Sequence, residues 1–161
     1  MRSDFIGLGV AAQRRCEASH GGEGRSLAAF LSKFTLEAWQ AELESPELAI
    51  RVAEEAGEPA GFAKIGPLSL PFETEARAME LRQLYILPPW KGRGIAPALI
   101  DWGLAEMRRR GAEEAYLSVY ADNHRALRFY ARYGFEMVGS YHFMVGSHAD
   151  DERIMRLRLE P

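Results

Sequence analysis

The sequence predicts an α/β domain built on a mixed sheet with helices on both faces, and three observations carry that prediction. Apolar residues recur at helical spacing from Ser26 to Leu43, then change at Pro46 to strict alternation. Beyond that point extended and helical patterns succeed one another and end in two extended ones. Finally, 161 residues with 47% apolar side chains suffice for one core of ordinary size without disulfides, so residues 1–161 read as a single domain.

Residues 1–25 are the least legible: 5–10 reads as a first strand or a loose arm, and 19–25, with three glycines, as a loop. Leu27, Phe30, Leu31 and Phe34 then line one helical face. A second short helix follows, in which Thr35 can cap, Trp39 and Leu43 lie one turn apart, and Ser45-Pro46 closes. Leu48, Ile50 and Val52 alternate with Ala49, Arg51 and Ala53 as in a half-buried strand. Ala56-Gly57-Glu58-Pro59 turns the chain and 61–65 returns antiparallel. After a loop over 66–74, residues 79–87 form a strand that Pro88-Pro89 stops. Residues 96–110 are the clearest helix, with Leu99, Ile100, Gly103, Leu104 and Met107 on one stripe and Gly111 at its end. A strand over 115–120, a helix over 123–133 ended by Gly134, and strands over 135–138 and 154–159 complete the order. In the last strand Met155, Leu157 and Leu159 face inward.

Composition removes several classes of function. A formal charge of −3 argues against a nucleic-acid surface, and the run Arg108-Arg109-Arg110 is explained by a helix C-terminus, where cations complement the dipole. No stretch approaches the roughly 18–20 apolar residues of a membrane span, so no membrane partner is expected. Residues 5–12 are apolar but short for a secretory leader, and Asp4 offsets the basic Arg2. A single cysteine, Cys16, permits no intrachain bridge and fits a reducing, cytoplasmic setting. His20 follows it in a glycine-rich segment with no orienting third group, which argues against a nucleophilic thiol. The histidines at 20, 124, 142 and 148 lack zinc-ligand spacing, so no metal is expected.

The most informative stretch is Leu84-Tyr85-Ile86-Leu87-Pro88-Pro89-Trp90-Lys91-Gly92-Arg93-Gly94-Ile95-Ala96, a strand that passes through a glycine turn straight into a helix. Such a turn suits a phosphate, because a helix N-terminus offers unpaired N–H groups and glycines allow close approach. It is not a Walker A loop, since Ile95 and Ala96 follow Gly94 where Lys and Ser/Thr are required. Nor is it a dinucleotide fingerprint, which needs a small residue at Pro97 and an acid near Leu117.

Downstream runs Asn123-His124-Arg125-Ala126-Leu127-Arg128-Phe129-Tyr130-Ala131-Arg132-Tyr133-Gly134-Phe135. Together the two motifs resemble the GNAT superfamily of acetyl-CoA-dependent N-acetyltransferases, with a close match over residues 79–138. The resemblance implies a GNAT-like, mostly antiparallel sheet splayed after its fourth strand, residues 79–87. It implies that the amides of Gly92, Arg93, Gly94, Ile95 and Ala96 cradle the coenzyme A pyrophosphate, with Lys91 as a nearby cation. Leu84, Tyr85 and Ile86 would offer backbone hydrogen bonds to the pantetheine arm beside a bulge, and Asn123 would hydrogen-bond the coenzyme. Tyr130 would protonate the departing thiolate; the residues alone also allow it as a core aromatic between Phe129 and Tyr133.

The chemistry is consistent with those roles. Acyl transfer passes through an oxyanion that fixed N–H groups stabilise, and a phenol can protonate a thiolate without a metal. An amine of pKa near 10 must first lose a proton. Glu80 is the candidate base, acting through water as in many relatives, or alternatively an ion-pair partner of an arginine such as Arg82. Ser118 stands where the ribosomal-protein acetyltransferases carry a catalytic glutamate, which sets this chain apart from them. The stretch from Gly139 to Gly146 with Ile154-Met155 is most similar to the bacterial polyamine (spermidine-type) N-acetyltransferases, and Glu37, Glu42, Glu44 and Glu47 could attract a polycation or simply face solvent. The expectation is direct acetyl transfer from acetyl-CoA to a primary amine of a small molecule, with a polyamine as one candidate. A protein or peptide N-acetyltransferase and a non-catalytic acyl-CoA sensor are the alternatives, and a homodimer is an expectation by analogy.

Overall fold

The computed structural model describes residues 36–145 and 148–160. The expected helix over 26–34, the segment 1–25 and Cys16 lie outside the described residues. In chain order come helix α1 (Leu36–Glu44), strands β1 (Ala49–Glu55), β2 (Glu58–Pro67) and β3 (Ala78–Ile86), a 3-10 turn (Pro88–Trp90), helix α2 (Ile95–Arg109), strand β4 (Glu114–Tyr120), helix α3 (His124–Arg132), and strands β5 (Glu136–Val145) and β6 (His148–Arg158). They form one sheet in the order β1-β2-β3-β4-β6-β5, antiparallel throughout except for the parallel pair β3 and β4. This is the mixed, mostly antiparallel α/β fold the sequence implies.

Alternation along β2 decides which helix covers which face. Phe62 meets Trp39 of α1 edge-on, with ring centroids 5.5 Å apart, and Lys64 reaches Glu42 of α1 at 2.8 Å. The intervening Ala63 and Ile65 point the other way, into a core with Leu99, Ile100, Leu104 and Met107 of α2. The two helices therefore lie on opposite faces, as a period of two requires. Leu43, expected beside Trp39, is instead 44% exposed, because α1 turns Trp39 and Glu42 to the sheet. Between β1 and β2 the turn is only Ala56-Gly57, both at positive φ (55° and 81°), the mirror-image turn that matches strand twist.

Two irregularities shape the site. In β3, Gln83 pairs with Lys64 but Leu81 with Ile65, leaving Arg82 as an extra residue. That bulge puts Leu81 and Leu84 on one face despite their odd spacing. The second irregularity is a split: β3 and β4 pair only at Ala78–Glu114, Met79–Ala115 and Glu80–Tyr116, after which β4 continues beside β6 alone. The closed end of this wedge is pinned by Glu114, which accepts hydrogen bonds from Tyr116 (2.7 Å) and Thr74 (2.9 Å), while Arg156 stands 3.6 Å away. Burial works against the Glu114 charge, yet these partners hold its carboxyl below the usual range.

β5 and β6 run much further than the expected 135–138 and 154–159, pairing from Glu136–Arg156 to Val145–His148. In the outer part Tyr141, Phe143 and Val145 do alternate with Ser140 and His142, but the facing segment Asp150-Asp151-Glu152 is polar and carries no such pattern, so the length of the hairpin shows only in its backbone pairing. Met155 in β6 and Leu159 just past its end are buried as expected, Leu157 is half-buried, and Ile154 is buried on the opposite face. The arginine run is structural. Arg109 and Arg110 grip Glu106 at 2.6 and 2.8 Å, and Arg110 also donates to the carbonyls of Pro46 and Glu47 at 3.2 and 3.0 Å, tying α2 to the start of β1.

Candidate active site

Where β3 and β4 part, a cleft of about 770 Å³ opens between the start of α2 and one side of α3. Leu84, Tyr85 and Ile86 form its floor. They pair with β2 on one edge only, so part of their N–H and C=O complement faces the cleft. The chain then crosses the 3-10 turn, where Trp90 N–H donates to Leu87 O at 3.0 Å and Lys91 N–H to Pro88 O at 3.3 Å.

Gly92 and Gly94 both take positive φ (83° and 80°), and Gly94 is the N-cap of α2. A Cβ on either would meet nothing within 4 Å, so both border open space. Ala98 makes the first α2 bond, to Gly94 O at 3.2 Å, and Pro97 has no N–H. The amides of Ile95 and Ala96 are thus left without helical acceptors at the positive end of the dipole. Lys91, Gly92, Gly94, Ile95 and Ala96 all line the cleft. The side chain of Arg93 does not: it turns away to Glu55 (3.6 Å) and over the Trp90 ring (5.1 Å), leaving only its backbone near the turn.

From α3, Asn123 and Tyr130 enter the same cleft. Asn123 Oδ1 accepts the Ala126 N–H at 3.1 Å as the helix cap, which leaves its Nδ2 for a ligand. Tyr130 packs edge-on to Phe129 and Phe135, at 5.2 and 5.8 Å, and burial pushes its phenol up to about 12.

Glu80 is not part of this wall. It is buried on the opposite face, at the last pair before the split, and both the N–H and the hydroxyl of Ser69 donate to it, at 2.8 and 2.7 Å. The ion pair with Arg82 is not made, since Arg82 donates to the carbonyl of Pro67 at 2.8 Å. Beyond Glu80 on that face lie Ser118, Tyr141 and Glu152. The Tyr141 hydroxyl is 3.5 Å from Ser118 Oγ, and its phenol is raised by burial and by the charges of Glu152 and Glu80. Burial likewise raises the Glu152 carboxyl, Ser118 partly offsets this by hydrogen bonding, and Asp150 and Asp151 add to the rise. The two sides of the split therefore differ in charge: the cleft side is lined by Lys91, Arg125, Arg128 and Arg132 and no carboxylate, while the far side carries Glu80 and Glu152, its cations Lys64 and Arg82 being engaged by Glu42 and by the carbonyl of Pro67.

Sequence reasoning missed the three arginines of α3, Trp90 and Phe129 as lining residues, and Glu152 on the far side. Arg125, Arg128 and Arg132 do follow helical spacing, which was the available signal.

A sheet that splits beside a glycine-started helix is the architecture of an N-acetyltransferase. The chain belongs to the acetyltransferase (GNAT) family, whose model matches residues 20–135. It is 35% identical over 113 residues to an uncharacterized N-acetyltransferase of Mycobacterium tuberculosis, covering 70% of this chain and 69% of that one. Over 57 residues it is 39% identical to an aminoalkylphosphonate N-acetyltransferase of Salmonella typhimurium, covering 35% and 37% of the two chains. Among solved structures, the PaiA N-acetyltransferase of Thermoplasma acidophilum, in complex with coenzyme A, shares the fold with a TM-score of 0.73 and 18% identity over 98% of this chain and 92% of that one. A ribosomal-protein-alanine N-acetyltransferase of Brucella melitensis does so with a TM-score of 0.77 and 23% identity over 99% and 96%.

Proposed function

We propose that this acetyltransferase moves the acetyl group of acetyl-CoA directly to a primary amine of a small molecule, with polyamines the leading acceptors. The observation that carries the reading is the difference in charge across the split. The polyanionic donor fits the cationic cleft, and a cationic amine fits the face of Glu80, Glu152 and Tyr141.

On the donor side, Gly92, Arg93, Gly94, Ile95 and Ala96 present amides to the pyrophosphate with Lys91 beside them, and Asn123 Nδ2 hydrogen-bonds the pantetheine arm. The thioester carbonyl meets the free edge of β3 at Leu84, Tyr85 and Ile86, whose N–H groups stabilise the oxyanion. The amine nitrogen attacks that carbon, the C–S bond breaks, and the Tyr130 hydroxyl donates to the leaving sulfur. With a phenol near 12 and an ordinary thiol near 8.5, Tyr130 acts first as a hydrogen-bond donor. An ammonium acceptor gives up two protons: Glu80, held in place by Ser69, takes the first through water and frees the amine for attack, and the second, lost by the nitrogen once the C–N bond has formed, passes to the coenzyme sulfur by way of the Tyr130 hydroxyl.

The acceptor is tested by following thiol release from acetyl-CoA with spermidine, spermine, simple diamines, amino acids, aminoglycosides and short peptides. Polyamines and diamines should give the highest kcat/KM. Activity with peptides alone would replace this reading with protein acetylation.

A further inference from the structure

Coenzyme A carries two anionic centres, the pyrophosphate and the phosphate on the ribose 3′ position, and in the reading above the glycine turn of α2 takes the first. The opposite wall is α3. At 3.6 residues per turn, Arg125, Arg128 and Arg132 fall within an arc of roughly 60°, while Asn123, Ala126 and Tyr130 share another, roughly 150° further round. Both groups line the cleft, with Phe129 between them. On the acetyl-CoA reading the inner edge of α3 serves the thioester end of the coenzyme, and the outer, exposed edge is a row of guanidinium groups.

Nothing among the described residues neutralises that row. Arg93, Arg109, Arg110, Arg153 and Arg156 each stand against a carboxylate, whereas Arg125, Arg128 and Arg132, like Arg51, Arg82, Arg108 and Arg158, have no ion-pair partner among the described residues; of these, only the three of α3 stand together on the cleft wall. Arg132 lies over the Phe129 ring at 5.8 Å, which orients it along the cleft wall. Three uncompensated cations on one helix face repel one another, a cost that a bound dianion removes. Guanidinium groups also match phosphate oxygens in two-pronged hydrogen bonds.

We propose that Arg125, Arg128 and Arg132 form the subsite for the 3′-phosphate of coenzyme A, so that the enzyme selects the 3′-phosphorylated coenzyme over its dephospho form. The inference rests on the acetyl-CoA reading above. With the thioester at Tyr130 and the pyrophosphate at Gly92 and Gly94, the adenosine end leaves the cleft along the outer edge of α3, where the guanidinium row stands.

The test is calorimetric titration of the wild type and of the double variant Arg125→Ala/Arg128→Ala with coenzyme A and with 3′-dephospho-coenzyme A. The wild type should bind coenzyme A about tenfold or more tightly than the dephospho form, a gap that narrows as salt rises. The variant should bind both forms alike, with the affinity the wild type has for the dephospho form. That retained affinity also shows the variant to be folded. Equal binding of both forms by the wild type, or equal loss of both by the variant, overturns the 3′-phosphate subsite while leaving the acetyl-CoA reading in place. A wild type that binds neither form overturns both.

Discussion

Replacing Tyr130 by phenylalanine separates catalysis from packing. The ring contacts to Phe129 and Phe135 survive the change, and the hydroxyl has no hydrogen-bond partner among the described residues to lose. Stability should therefore change by about 1 kcal/mol at most. The phenol is held near 12 by burial, so at pH 8 about one molecule in ten thousand is ionised and nearly every active site carries a proton donor. Removing it should lower kcat by about 10²–10⁴, or roughly 2.7–5.5 kcal/mol of barrier. The lower end is expected, because a thiolate of ordinary pKa near 8.5 is already a fair leaving group. The dissociation constant for coenzyme A, measured by calorimetry, should move by less than about threefold, since aromatic packing is kept. An unchanged kcat would remove Tyr130 from the chemistry, and a loss confined to coenzyme affinity would make it a packing residue of the cleft.

Three further outcomes follow from other parts of the fold. Gly94→Glu should abolish coenzyme binding by setting a carboxylate in the phosphate space, while Gly94→Ala, whose Cβ meets nothing within 4 Å, should pay only the left-handed backbone cost of about 1–2 kcal/mol and still bind. Tight binding by the Glu variant in a titration would refute the cradle. Gly61→Ala would put a Cβ 2.5 Å from the Tyr85 carbonyl, forcing β2 off β3 beneath the cleft, and should lower the thermal midpoint by the equivalent of about 1–3 kcal/mol, with calorimetry as the check. Hydrogen bonds from Arg109 and Arg110 hold the Glu106 carboxyl at about 2 rather than 4.5, so its contribution is present above pH 4.5 and is lost as pH falls toward 2. Glu106→Gln should flatten the wild type's loss of stability across that window, and parallel acid unfolding curves would show the arginine grip to be energetically silent.

How much of this was legible depended on whether the signal was local. The Gly92/Gly94 turn, the Asn123 cap and the Tyr130 spacing are local, and the structure brings them to one cleft. The bulge is not local: only the pairing of Lys64 with Gln83 and of Ile65 with Leu81 shows Arg82 to be the extra residue. Glu80 looked equally suited to an arginine partner, and the choice of Ser69 is made by the loop between β2 and β3 folding back over the sheet. The far end of β5 does alternate, Tyr141, Phe143 and Val145 against Ser140 and His142, but its partner in β6, Asp150-Asp151-Glu152, is polar throughout and gives no strand signal of its own. Arg125, Arg128 and Arg132 were visible as a stripe, but which way α3 turns it is decided by Leu127 and Tyr133 packing into the core.

Direct transfer is tested by a single-turnover experiment in which the enzyme, in excess over acetyl-CoA, is mixed with and without spermidine, and free thiol and acetylated amine are measured together. The geometry predicts no thiol release without amine and, with it, coenzyme A and N-acetylated product appearing at the same rate in equal amounts. A burst of thiol before any amine is added would mean an acyl-enzyme, and tight acetyl-CoA binding with no product from any amine would mean that the cleft holds its ligand without using it.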